Sequence, residues 1–172
     1  LRQTGYTGRA IYDQVDNPQL IRDGLLARLE TFGTVAGWGS EDAYNKTSIT
    51  VVGARKFGRH SLQLAGHHGD TLQGNLPLYD PFLLGGFLRG SGYRMDELLG
   101  QEVSLVRGVY SYQLTALPAP LGRGVYAGGS LEQTRAVLGN EAADRGRTRP
   151  SGALFVAADT FLGPAFLAWG RS

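Results

Sequence analysis

Apolar and polar residues alternate with a period of two through eight segments of this chain. Each segment is bounded by Gly, Pro, Asn or Asp, and a period of two with such borders predicts β-strands. The segments run from about Thr4 to Asp13, Gly24 to Phe32, Tyr44 to Lys56, Arg59 to His67, Glu102 to Leu114, Arg123 to Gln133, Gly152 to Thr160 and Pro164 to Gly170. Gly24 to Glu30 and Leu131 to Leu138 also admit a helical reading, but their Gly-rich neighbours favour strand. The expected fold class is therefore all-β and antiparallel.

The alternation keeps one sense throughout. In the second segment Leu25, Ala27 and Leu29 share a face opposite Arg28 and Glu30; in the fourth, Leu62 and Leu64 oppose Arg59, Ser61 and Gln63. The sixth sets Val125, Ala127 and Leu131 against Arg123, Tyr126, Ser130 and Glu132, and the seventh sets Leu154, Val156 and Ala158 against Phe155 and Asp159. A soluble sandwich and a membrane barrel both give this pattern, so periodicity does not choose between them.

Connector lengths do bear on that choice. Bacterial outer-membrane barrels have short turns on one rim and long loops on the other. Phe57-Gly58 and Phe161-Leu162-Gly163 read as tight turns and Thr115 to Gly122 as a modest one, whereas His68 to Gln101 and Thr134 to Ser151 are long. Asn17-Pro18 to Asp23 breaks the first hairpin and Gly33 to Ala43 the second, and the long connectors are expected on the rim opposite the tight turns. Aromatics near strand ends, among them Tyr12, Phe32, Tyr44, Phe57, Tyr110, Tyr112, Phe161 and Trp169, fit interfacial girdles and fit an ordinary core as well.

Composition narrows the picture. No run approaches the roughly 18 consecutive apolar residues of a membrane-crossing helix, which excludes a helical membrane protein but not a barrel. Gly supplies 26 of the 172 residues, roughly double the usual share of about 7%, and suits turns, bulges and curved sheet. Cys is absent. The net charge of +2, with arginines scattered singly, gives no nucleic-acid patch. Leu1-Arg2-Gln3-Thr4 is neither a Met start nor a signal peptide, so the chain is expected to be a portion of something longer.

Candidate chemistry is sparse. His67, His68 and Asp70, with His60 nearby, could form a metal cluster or an oriented base, but they suit a strand rim better. Ser61 and Ser130 lack a Gly-x-Ser-x-Gly elbow, and the glycines of Gly86 to Gly92 and Gly124 to Gly129 lack the strand-to-helix context of a phosphate loop. No catalytic residue, metal or cofactor is expected. Tyr126, Arg107, Arg28, Glu30, Glu132 and Asp159 would share the polar face, and a buried charge there is costly unless matched.

The connector His68 to Gln101 is too long and too apolar for a disordered tail. Its residues Gly85-Gly86-Phe87-Leu88-Arg89-Gly90-Ser91-Gly92-Tyr93-Arg94-Met95-Asp96-Glu97-Leu98 resemble the inward-folding sixth extracellular loop of the BamA superfamily, the bacterial surface antigen family. The closest likeness is to the C-terminal barrel of patatin-like phospholipase autotransporters. Gly128-Gly129-Ser130-Leu131-Glu132 is similar to the family strand that carries an acidic partner for the loop. Ala158-Asp159-Thr160-Phe161-Leu162-Gly163-Pro164 is similar to the turn of the final hairpin, and the likeness extends from Asp16 to Pro18 onward.

Two departures stand out. Arg89 lies two places before the family's tip arginine if Gly92-Tyr93 is the tip pair, which would put Ser91 at that position; either Arg89-Gly90 is the tip or the loop lacks the arginine. Thr134 and Val137 replace the Gly and Trp that follow the acidic residue.

The resemblance implies strands eight to fifteen of a sixteen-stranded transmembrane β-barrel in the bacterial cell outer membrane, with residues 1–172 as one barrel portion. Its implied work is to anchor and help secrete or display an attached domain by conformational change, without enzymatic chemistry of its own. The implied partners are outer-membrane lipid, the missing barrel half or a second copy of the chain, and a translocated passenger polypeptide, with no nucleic acid. The implied loop-to-lumen contact joins Arg89, Gly90, Gly92 and Tyr93 to Glu132, with Arg89 paired to Glu132. An assembly factor or passive porin shares the fold, and a soluble β-sandwich binding module is the reading of another class.

Overall fold

The computed structural model describes residues 4–18, 20–35, 37, 40, 43–118, 120–138 and 147–172. Leu1-Arg2-Gln3 and parts of the 33–43 and 134–151 connectors lie outside them.

The alternating segments form one antiparallel sheet. Its strands are β1 (Gly5–Val15), β2 (Gly24–Thr34), β3 (Asn45–Phe57), β4 (His60–Gln73), β7 (Glu102–Thr115), β8 (Gly122–Val137), β9 (Arg149–Thr160) and β10 (Gly163–Arg171). β5 (Phe82–Leu84) and β6 (Leu98–Gly100) make a separate small hairpin within the 74–101 connector. The large sheet runs β1-β2-β3-β4-β7-β8-β9-β10 and does not close, so β1 and β10 stand at its ends. No helix among the described residues is long and apolar enough to cross a membrane, which says nothing about strands.

The sheet's two faces differ in composition and in what covers them. Leu25, Leu29, Ile49, Val51, Leu62, Leu64, Val106, Leu131, Leu154 and Val156 are exposed, with Leu131 at 78% and Leu154 at 66%. Across this face, leucines lie beside glycines of the adjacent strands. Leu64 stands opposite Gly53 and Gly108, and Leu131 opposite Gly108 and Gly152. The other face buries Ser61, Gln63, Ser111, Ser130, Glu132, Thr134, Ser151 and Asp159. Strand alternation puts i and i+2 on one side, so a single register fixes both faces at once.

What covers the polar face is the chain itself. The 74–101 connector and the 16–23 connector both fold onto it and build two small apolar clusters. One joins Leu84 and Leu98 to Val103, Leu105 and Ala136, with Phe82 and Tyr93 packed alongside. The other joins Val109, Tyr126, Phe155 and Ala157, with Leu20, Phe87 and Leu88 against them. Phe155 thus belongs to a core beneath the connectors, on the face that also buries Glu132 and Asp159.

Antiparallel order places the connectors 35–44, 74–101 and 138–148 on one rim, and 16–23, 58–59, 116–121 and 161–162 on the other. Long and short connectors are therefore segregated, except that 16–23 belongs to the short rim. β4 also continues to Gln73 through His68-Gly69-Asp70, so the long connector begins later than the His68 boundary expected from sequence. Arg123 sits at a bulge between Gly122 and Gly124 and is exposed instead of joining Tyr126 on the buried face. Tyr44 is only 2% exposed, stacked near Phe32 with ring centroids 5.9 Å apart, and is not a girdle residue.

Candidate functional site

Glu132 lies on β8, on the covered face, and is 4% exposed. Arg107 on β7 and Ser151 on β9 stand opposite it. A carboxylate carried this far from water needs donors around both oxygens. One oxygen accepts the backbone amides of Gly90 at 2.7 Å and Ser91 at 2.8 Å. The other accepts the hydroxyls of Ser91 and Ser130, each at 2.6 Å. Hydrogen bonds to a charged group contribute about 1.5–3 kcal/mol apiece, so this is the strongest tie between the connector and the sheet.

The tip that presents those amides is a knot of turns. Gly85 N–H donates to the Arg89 carbonyl, Arg89 N–H to Gly86, and Tyr93 N–H to Gly90. Gly92 has φ 100°, and a Cβ there would come within 2.4 Å of the Arg171 carbonyl carbon and the Ser172 nitrogen. The tip therefore crosses toward β10 backbone to backbone, over Gly170, where a Cβ would come within 2.8 Å of the Gly92 nitrogen. Only glycine satisfies both the left-handed conformation and this approach. Leu88 also adopts φ 61°, a conformation that costs a bulky residue about 1–3 kcal/mol. Its carbonyl accepts from the Arg107 guanidinium and its amide donates to Ser91 Oγ at 3.0 Å. Phe87 beside it packs edge-on against Phe155 and tilted against Phe166.

The foot of the connector is fastened separately. Gln101 exchanges two hydrogen bonds with the Leu76 backbone, at 2.6 and 2.8 Å. Asp80 accepts from the Tyr44 hydroxyl at 2.6 Å and pairs with Lys46.

Of the residues singled out from sequence, Gly90 and Glu132 are brought together directly. Gly92 shapes the same tip, and Tyr93 packs in the cluster of Leu84 and Leu98. Arg89 is not paired with Glu132. Its guanidinium donates to the Leu83 carbonyl at 2.9 Å, at an exposed position, and the ion pairs among the described residues do not include it. Amides and hydroxyls already fill the Glu132 lone pairs, so no guanidinium is needed there. Ser91 is the partner, through both its amide and its hydroxyl.

A second inward tie was missed by sequence. Arg22, 6% exposed, lies over the Tyr126 ring at 4.2 Å and donates to its hydroxyl at 2.9 Å. The 16–23 connector is held down by Ser61 Oγ on the Arg22 carbonyl at 3.0 Å, by Gln63 on the Ile21 carbonyl at 3.1 Å, and by Asn17 on Asp159 at 3.1 Å. Within the connector, Asp16 Oδ1 accepts the amides of Arg22 and Asp23.

The remaining candidates make local contacts within the sheet and its connectors. His67 contacts the Thr50 hydroxyl at 2.8 Å, while His68, on the opposite face, contacts Ser104. Among the described residues no three His, Cys, Asp or Glu side chains gather as a metal site. The Ser61 and Ser130 hydroxyls are spent on the Arg22 carbonyl and Glu132. No family model matches this chain, and no curated protein does.

Proposed function

We propose that this chain is a portion of a transmembrane β-barrel of the Gram-negative outer membrane, of the kind found in the BamA superfamily it resembles, that anchors and helps secrete or display an attached domain. The carrying observation is the inversion of its faces. Exposed leucines and valines cover the open side while Glu132, Asp159 and Arg22 are buried on the other. Water would penalise such an apolar surface, at about 25 cal/mol for each Å², whereas lipid favours it. A shallow apolar groove of about 680 Å³ over Gly53 and Gly66 on that side is a place for acyl chains. Lipid cannot hydrogen-bond the free edges of β1 and β10. Pairing with the rest of the barrel, or with a second copy, satisfies them.

In this reading the 74–101 connector is a lumenal plug latched at Glu132. Release of Gly90 and Ser91 from Glu132 is the conformational step that opens a path for a polypeptide. Extraction and refolding test the reading. The chain is expected to fold only in micelles or bilayers, and a monodisperse aqueous monomer, or a stable aqueous dimer with its apolar faces together, would contradict it. In the full-length protein, Glu132→Ala is expected to impair display of the attached domain without removing the barrel from the membrane.

A further inference from the structure

The covered face carries a recess that neither connector fills. It measures about 300 Å³ and lies on the β2, β3, β4 and β7 side of the plug. Three arginines line it: the exposed Arg28 from β2 and Arg89 from the connector, and Arg107 from β7. Thr50 and His67 form part of the floor, and Leu84 and Leu105 close the apolar side. Strand register explains the convergence. Arg28, Thr50, His67 and Leu105 share one cross-strand row, and Ala65 and Arg107 belong to the next row on the same face.

Three like charges in one small space repel unless something negative answers them. The carboxylates nearby do so only in part. Glu30, in the recess wall, is taken by Arg9 of β1 at 2.7 Å. Glu132 faces Arg107 across β7 and β8, but its oxygens are filled by the plug and by Ser130. Among the described residues the Arg28 side chain makes no hydrogen bond or ion pair, and the buried Arg107 Nε has no partner. Donors with fixed planar geometry are thus in excess over acceptors at this one place.

We propose that the recess is a binding site for a small phosphate-type oxyanion, inorganic phosphate or a soluble phosphate monoester, held by Arg28, Arg107 and Arg89. A phosphate carries about 1.5 to 2 negative charges and three strong acceptor oxygens, which matches several guanidinium forks better than a single carboxylate would. The source is a soluble anion and not a lipid headgroup, because the recess opens on the face opposite the exposed leucines. The site goes beyond the membrane reading and stands on the fold alone.

Phosphorus NMR titration of the folded protein with inorganic phosphate, at constant ionic strength in zwitterionic micelles or in buffer if it folds there, tests this. Saturable binding is expected. Arg28→Gln should weaken it about tenfold or more with the fold intact, since the Arg28 side chain makes no bond the structure depends on, and Arg28→Lys should restore it only in part. Arg55→Gln, an equal loss of charge away from the recess, should change nothing. Binding that does not saturate, or that falls equally in the Arg28 and Arg55 variants, would overturn the site. Displacement of phosphate by phosphatidic acid in micelles or vesicles would overturn the assignment to a soluble anion.

Discussion

Ser91 donates both its backbone N–H and its hydroxyl to the Glu132 carboxylate, at 2.8 and 2.6 Å, and so ties the tip of the long connector to the middle of β8 by one residue. Glu132→Ala should leave the amides of Gly90 and Ser91 without an acceptor in a dry place and cost about 2–5 kcal/mol. Ser91→Ala should cost about 1.5–3 kcal/mol. A double-mutant cycle read by denaturant-induced unfolding should show strong coupling between these two, and coupling near zero between Arg89→Ala and Glu132→Ala.

The crossing of Gly92 over β10 makes a steric prediction. Gly92→Ala adds a Cβ into backbone at 2.4 Å and at a φ that L-residues avoid. The cost is expected at about 1–3 kcal/mol, and it should fall on the plug and not on the sheet. Hydrogen exchange should quicken at Gly85 to Tyr93 while amides of β7 and β8 keep their protection. Uniform loosening of the whole sheet would show that the tip is not an independent latch.

Arg22 and Tyr126 make a prediction for the other inward connector. Tyr126→Phe removes the acceptor of the Arg22 guanidinium, whose Nε and Nη2 are already buried without a partner, and should destabilise by about 1–3 kcal/mol. Arg22→Met, which keeps the length of the side chain and drops the charge, should cost less than Tyr126→Phe. The comparison by thermal or denaturant unfolding is decisive because stacking on the ring survives in one variant and the orphaned charge in the other.

Sequence disclosed the sheet because alternation is a local signal. All eight segments are strands, and the sides assigned to Leu25, Leu62, Leu131 and Leu154 agree with their exposure. Alternation also put Glu132 on the polar face, while its role as partner of the long connector came from the family likeness of Gly128 to Glu132. Sequence did not disclose the partner. A side-chain search pairs a carboxylate with an arginine, whereas the donors here are the amides of Gly90 and Ser91, and backbone donors leave no mark in composition. The only available sign was Ser91 between two glycines, a stretch able to turn its amides inward. The boundary at His68 failed because two histidines and Asp70 look like a rim while their backbone still pairs with β3. Arg22 was passed over because a lone arginine in a turn is ordinarily solvated, and nothing local says that a connector on the short rim folds inward.

The most direct test of the inverted sheet is the environment of its two faces in a bilayer. Single spin labels at Leu64, Leu131 and Leu154, and at Ser48 on the opposite face, can be compared for relaxation by oxygen and by a polar nickel chelate after reconstitution in liposomes. A leucine face immersed in lipid predicts strong relaxation by oxygen and weak relaxation by the chelate at the three leucine positions, with the reverse at Ser48. Arg at the same leucines should cost roughly 2–4 kcal/mol near the midplane. Equal access of the polar chelate to Leu64, Leu131, Leu154 and Ser48 would contradict it.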